Sequence, residues 1–453
     1  MNLKERLLLL TLTAVNFTHI MDFMIMMPLG PQLMVLFDIT PQQFGFAVSA
    51  YAITAGCAGF ASAFFVDRFD RKSMLLFAYI GFVAGTFSCA FAPTYGLLVA
   101  ARVLAGLFGG MIGAQVMSIV SDTFEYERRG RAMGSLMTAF SLASVIGVPG
   151  GLWLAARYSW HAPFLVVGGL GVLIVGMIVA LVPPMTKHLT GMSNVQQGMS
   201  NPDEKSGQVV QLSETSAVNS PSPEATTSKS AEQLQTSNSQ LQTSLPAEAR
   251  SAKEGSPFQV LTNIAQSPRQ QWALVFSAVL MVGHFSIIPY IAPTLVGNVG
   301  YSQDNIFLIY LVGGLLTIFT SPLVGRLADR KGKYPVFAVF AVLSLIPVWI
   351  ITHLWPSPLW AVLCVAGMFF IFTNGRMVPM QAMVSNVVPP QQRGGFMSIN
   401  SSVQQLASGL AATIGGAIIV KTADGRIEHY GWVGYLAMAL ILTSVFLAKK
   451  VVE

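Results

Sequence analysis

The chain has 453 residues, of which 53% are hydrophobic and only 10% are Asp, Glu, Lys or Arg. A soluble domain carries about 25% charged residues, so there are too few here to cover a water-exposed surface. That excludes an ordinary cytosolic enzyme and a chain disordered over most of its length. The net charge of +6 points to a membrane and not to nucleic acid, because Lys and Arg gather in short loops beside apolar runs.

A spanning helix needs about 20 mostly apolar residues. Twelve runs meet that length: 7–30, 44–66, 74–92, 96–121, 131–156, 162–183, 270–295, 304–326, 335–354, 358–382, 395–420 and 431–448. The first lacks a small-residue cleavage site after a short apolar core, so it reads as a retained span and not a signal peptide. The runs are continuous and do not alternate, which excludes a β-barrel. Cys57, Cys89 and Cys364 all fall inside them and predict neither a disulfide framework nor a metal site.

Between the sixth and seventh runs, residues 186–268 are rich in Ser, Thr, Gln, Asn and Pro with no persistent apolar stripe. They predict a disordered cytoplasmic linker, either a passive tether or a regulatory, partner-binding segment. The organisation is a six-helix bundle over 1–185, the linker, and a second six-helix bundle over 269–453. Lys and Arg crowd into alternate loops, the linker and both tails, while the intervening loops carry only Arg157, Lys421 and Arg426. This asymmetry predicts both termini in the cytoplasm.

The two halves repeat. Asp67-Arg68 follows span 2 and Asp329-Arg330 follows span 8, an offset of 262 residues; Arg129-Gly130 and Arg393-Gly394, after spans 4 and 10, are offset by 264. Duplicated halves with a site at their interface are a transporter architecture.

The loop after span 2 reads Ala63-Phe64-Phe65-Val66-Asp67-Arg68-Phe69-Asp70-Arg71-Lys72, and the loop after span 8 reads Gly325-Arg326-Leu327-Ala328-Asp329-Arg330-Lys331-Gly332-Lys333. Both resemble the G-x-x-x-D-R-x-x-R-K signature of the major facilitator superfamily, with Ala63 in place of the first glycine and a reduced basic pair in the second copy. The resemblance implies an all-α integral membrane fold of twelve helices in two pseudo-symmetric bundles, working by alternating access. It also implies a cavity lined by spans 1, 4, 7 and 10, with 5, 8 and 11 beside them. In the loops, Asp67, Arg68, Arg71, Asp329 and Arg330 form either an inner gate that latches the bundles together or ordinary exposed ion pairs of little worth.

Three further elements are similar to the drug:proton antiporter branch. Met21-Asp22-Phe23 through Pro31 looks like its L-D-x-T-x-x-N-x-A-L-P element, without the Thr and Asn. Arg102-Val103-Leu104-Ala105-Gly106 looks like R-x-x-x-G. Gly147-Val148-Pro149-Gly150-Gly151 loosely resembles G-x-x-x-G-P-x-x-G-G, out of register.

Asp22 is the acidic residue well inside a span, where an ionised group is costly and usually has a task. It is either a proton carrier or a permanently paired structural acid. Counting about 1.5 Å per residue from each helix end puts Asp22 and Arg102 at one depth, which makes Arg102 its expected partner in proton coupling. Arg376 falls nearer the cytoplasmic end of span 10, where it either attracts an anionic substrate group or snorkels to the interface. Further cavity candidates are Asn16, His19, Phe23 and Met26 on one face of span 1, His284 and Tyr290 in span 7, and Asn400 and Gln404 in span 11.

No P-loop, metal cluster or nucleophile–base pair occurs in the sequence, so neither ATP drive nor enzymatic catalysis is expected; the expected coupling ion is the proton, with no cofactor and no metal. The expected function is proton-coupled efflux of a small organic compound by a monomer. Its place is the plasma membrane, which is the inner membrane if the source is a Gram-negative bacterium. Uptake symport of a nutrient such as a sugar, uniport, and a non-transport membrane sensor are the alternatives.

Overall fold

The computed structural model describes residues 3–62, 64–65, 69–124, 132, 135–136, 138–185, 257–389 and 392–452. Eleven helices among these residues are long and apolar enough to cross a membrane. Spans 1 to 6 are Leu3–Ile25, Pro41–Ser62, Arg71–Ala90, Tyr95–Thr123, Thr138–Arg157 and His161–Leu181. Spans 7 to 10 are Pro268–Gly297, Gln303–Lys331, Lys333–Thr352 and Leu359–Ser385, and span 12 is Tyr430–Val452.

Span 11, Arg393–Ile418, has 26 residues but is too polar to qualify by composition, because of Ser398, Asn400, Ser401, Ser402, Gln404 and Gln405. Span 2 shelters much of it, so the polar face need not meet lipid. Each predicted run overlaps one of these twelve helices. Among the described residues, the one departure from an all-α fold is a two-residue antiparallel hairpin between spans 11 and 12, β1 (Val420–Lys421) with β2 (Ile427–Glu428).

Three spans predicted as continuous are interrupted, each at a proline that removes a helical N–H. Span 1 breaks at 26–29, around Pro28, and resumes as Gly30–Leu36. Span 7 breaks at Ser286 and Ile287, just before Pro289, and span 9 at Ser344, three residues before Pro347. Span 5 instead absorbs the demand of Pro149 by widening to a π-helical turn over Ala143–Gly147.

Two seams join the bundles. Span 2 lies along span 11. A Cβ at Gly45 would fall 2.5 Å from the Ala412 carbonyl, at Gly409 3.1 Å from the Ser49 carbonyl, and at Gly56 2.9 Å from the Ser402 carbonyl. Small residues are what allow two backbones to come this close. On the other side, Gly314 of span 8 seats against the π-helical turn of span 5, where a Cβ would lie 2.8 Å from the Ser144 carbonyl. An apolar core runs through both bundles and includes Met26, Phe44, Phe276 and Tyr290.

The linker prediction needs one correction. Residues 257–266 of the segment predicted as disordered form a helix, Pro257–Gln266. Val260 and Ile264, one turn apart, are buried, and Val260 packs on Gly395 at the start of span 11. Its short apolar stripe is diluted by the polar stretch before it. Residues 186–256 lie outside the described residues. Span 3 starts where span 6 ends, with Asp70 accepting from the Met185 N–H; that end of the first bundle is the near end.

Candidate functional site

The depth-matched pair of spans 1 and 4 meets. Arg102 Nη1 donates to Asp22 Oδ2 at 2.8 Å and to the Asp22 carbonyl at 3.3 Å. Both side chains are 0% exposed. Thr86 of span 3 donates from Oγ1 to Asp22 Oδ1 at 3.1 Å, so both carboxylate oxygens are occupied. Span 2 supplies the fourth wall: the Arg102 guanidinium lies over the Tyr51 ring, 4.3 Å from its centroid, a cation–π contact worth more when it is desolvated. Arg102 Nε and Nη2 are sealed without partners.

Local sequence explains the geometry. Gly106 stands one turn from Arg102, and a Cβ there would lie 2.9 Å from the Tyr51 Cα. Span 2 can bring Tyr51 under the guanidinium because that position has no side chain, which gives the R-x-x-x-G element a packing reason. His19 is one turn before Asp22; its ring centroid is 6.1 Å from Tyr51 and 5.8 Å from Phe82. His19 Nε2 and Tyr51 Oη are buried without hydrogen-bond partners. Phe23 touches Tyr51 at 5.4 Å and reaches Phe285 of the second bundle at 5.8 Å. Asn16 is half-buried and takes no part in these contacts, and Met26 is sealed in the break of span 1.

In the second bundle the predicted residues separate. His284 lies near-parallel to the Phe369 ring at 6.4 Å. Arg376 does not snorkel: it is 1% exposed and donates from Nη1 to Ser344 Oγ at 3.0 Å. Tyr290, expected in the cavity, is 0% exposed and donates to the Ala412 carbonyl at 2.6 Å. It serves the seam between spans 7, 11 and 2, because its ring fills the space left by Gly45, Gly415 and Gly416. Asn400 and Gln404 share a face of span 11; Asn400 Oδ1 and Gln404 Nε2 are buried without partners.

Asp67 and Arg68 lie outside the described residues. Arg71 does form an ion pair, from Nε to Asp122 Oδ2 at 3.0 Å, but with span 4 of its own bundle. Asp70, which sequence reasoning passed over, is the N-cap of span 3: it accepts from the Ser73 N–H at 2.9 Å and from the Met185 N–H, beyond span 6, at 2.6 Å. Partial burial pushes its carboxyl up, but the bonds from Met185 and Ser73 outweigh this and hold it below the usual carboxylate range. Asp329 and Arg330 are exposed and form no ion pair with a described residue.

Sequence reasoning also missed Thr86, Tyr51 and Ser344. Each is one polar atom in a long apolar run, and only its contact with an arginine or carboxylate marks it. No group of His, Cys, Asp or Glu able to hold a metal occurs among the described residues.

Twelve spans in two halves, discontinuous first helices in both halves and a sealed ion pair in the first define a membrane transporter of the two-bundle class. The family model for the Major Facilitator Superfamily matches residues 12–412 and 273–452, and the chain belongs to that superfamily. It is 21% identical over 424 residues to the uncharacterized MFS-type transporter YceJ of Bacillus subtilis (strain 168), covering 93% of this chain and 90% of YceJ. The fold is similar to a bacterial homologue of the human lysosomal transporter Spinster, in an inward-facing, unoccupied conformation. There the TM-score is 0.65, with 15% identity over 100% of this chain and 95% of that one. It is also similar to a D-xylose-proton symporter, with a TM-score of 0.69 and 14% identity over 97% and 96% of the two chains.

Proposed function

We propose that the protein is a proton-coupled exporter of a small, partly apolar organic compound, with Asp22 as the proton site and Arg102 as its switchable counter-ion. One observation carries this reading: the Asp22–Arg102 pair, joined at 2.8 Å and sealed from solvent, ties two helices of the first bundle, so a shift of span 1 against span 4 within that bundle opens it. While the pair is closed it is neutral as a unit. When Arg102 moves away, an unpaired carboxylate is left in a low-dielectric interior, and a proton arriving there restores neutrality. A neutral site crosses more easily, so protonation favours one facing state over the other.

Export, as against uptake, is supported by the resemblance of the Asp22 and Arg102 elements to the drug:proton antiporters. The protein works in the plasma membrane as a monomer with both termini in the cytoplasm, and Asp67, Arg68, Arg71, Asp329 and Arg330 act as its inner gate. Proton-linked uptake is the second reading, favoured by the fold likeness to the D-xylose-proton symporter.

The test is transport by purified protein in vesicles with an imposed pH gradient, with hits from a thermal-shift ligand panel as substrates. Asp22→Asn is expected to abolish gradient-driven accumulation while leaving downhill exchange. Full accumulation by Asp22→Asn would place the coupling site elsewhere, and identical transport with and without the gradient would make the protein a uniporter.

A further inference from the structure

Among the described residues, the buried charges of the spans do not balance. Asp22 and Arg102 cancel each other, whereas Arg376 has no such partner. The acidic residues of the second half are Asp304, Asp329, Asp424, Glu428 and Glu453. Asp304 lies in the turn that starts span 8, Asp329 in the last turn of that helix, Asp424 and Glu428 in the hairpin region, and Glu453 ends the chain. No carboxylate lies within ion-pair distance of Arg376 among the described residues. Yet Arg376 is 1% exposed, with one hydrogen bond to Ser344 and its Nε sealed without a partner. A buried guanidinium with no counter-charge is costly; its own bundle offers it a single hydroxyl.

Other unpaired polar atoms lie on the same face of span 10 and opposite it. Thr373 precedes Arg376 by three residues and Phe369 precedes Thr373 by four, so the three share one face of span 10. Thr373 Oγ1 is buried with no partner, and so is Nδ1 of His284, whose ring faces Phe369 on that same face. Along about 11 Å of span 10, two groups able to donate hydrogen bonds and one uncancelled positive charge are left without an acceptor. That set lacks one thing, an anion.

We propose that Arg376, with Thr373 and His284, binds the negative group of the transported compound, so that the substrate is an organic monoanion such as a carboxylate. Arg376, the buried cation of the described residues that has no carboxylate partner, matches one negative charge on the substrate. The inference rests on the transport reading above and narrows its substrate class; Phe369 and Phe285 beside the site suit an apolar body on the same molecule.

The experiment compares binding of benzoate, 2-naphthoate and octanoate with their neutral amides to the purified full-length protein at neutral pH, by thermal shift and equilibrium binding. At least one acid is expected to bind about 10- to 150-fold more tightly than its amide, the range of a hydrogen bond to a charged group. Arg376→Gln is expected to erase that preference, Arg376→Lys to keep part of it, and Thr373→Ala to weaken acid binding about 2- to 12-fold. The lysine and alanine variants carry the test should the glutamine variant fail to fold.

Acids that bind no better than their amides throughout the panel, or a preference that survives Arg376→Gln, would overturn the proposal. Because no gradient is applied, charge-selective binding without pH-driven transport would sink proton coupling and leave this site standing. Gradient-driven transport with charge-blind binding would do the reverse.

Discussion

Phe23 and Phe285 pack against each other, ring centroids 5.8 Å apart, from equivalent positions in the two halves. Each follows a polar residue, Asp22 or His284, that stands nine positions before a proline, Pro31 or Pro293. The offset of 262 residues is the one that relates Asp67 to Asp329. Spans 1 and 7 therefore touch where the two halves mirror each other, with the sealed Asp22 pair on one side and the His284–Phe369 stack on the other.

This contact crosses between bundles, so it must break or slide when they rock. An aromatic pair of this kind is worth about 0.5–1.5 kcal/mol beyond its buried area. A double-mutant cycle of Phe23→Ala and Phe285→Ala, read by thermal unfolding in detergent, is expected to return a coupling energy of that size. Strictly additive losses would show that the rings do not stabilise this arrangement of the bundles.

The Asp22–Arg102 pair sets the second expectation. Removing one partner of a buried pair strands the other charge and costs about 3–5 kcal/mol, whereas replacing both by apolar residues of similar size is often neutral. Asp22→Leu and Arg102→Met should each lower the unfolding temperature strongly, and the double variant should recover most of the loss. A double variant as unstable as the sum of the singles would show that Thr86 and Tyr51, and not the pairing of charges, carry the stability of this site.

Most of the architecture was legible in the sequence, because a spanning helix announces itself by length and apolarity, and Arg102 could be matched to Asp22 by counting helical rise. Tertiary detail was not legible in the same way. Tyr290 looked like a cavity tyrosine because its depth suited one; its ring instead fills the space left by glycines that lie far off in sequence. Thr86 and Ser344 are small hydroxyls whose role depends on which arginine or carboxylate a neighbouring helix delivers. The Pro257–Gln266 helix was hidden because two buried side chains one turn apart are a weak signal at the edge of a polar segment.

Two glycines of span 4 make a controlled comparison. A Cβ at Gly106 would lie 2.9 Å from the Tyr51 Cα, while one at Gly113 meets nothing within 4 Å. Gly106→Ala is expected to push span 2 away and to destabilise by about 1–3 kcal/mol, the usual cost of overpacking. Gly113→Ala should be neutral or slightly stabilising, since alanine is the better helix former by about 1 kcal/mol. Thermal unfolding of the two variants side by side decides it, and equal effects would show that the close approach of spans 2 and 4 is not what Gly106 provides.

The near end of the first bundle carries a pH signature. Asp70 caps span 3 and ties it to the residues after span 6 through Ser73 and Met185, and these bonds hold its carboxyl below the usual range. A carboxyl with a lowered folded-state pKa contributes stability that is fully present above its unfolded value, about 3.9, and is lost as pH falls through the folded value. Asp70→Ala should therefore reduce stability at neutral pH by about 1 kcal/mol, the common worth of an N-cap. The gap between the variant and the parent should narrow as pH drops below about 4 and Asp70 takes up its proton. Unfolding temperatures of both proteins between pH 7 and pH 3 test this directly. A gap that stays constant across the range would mean that the cap acts through packing alone, and a gap that widens on acidification would mean that the neutral acid, not the carboxylate, holds Met185 and Ser73.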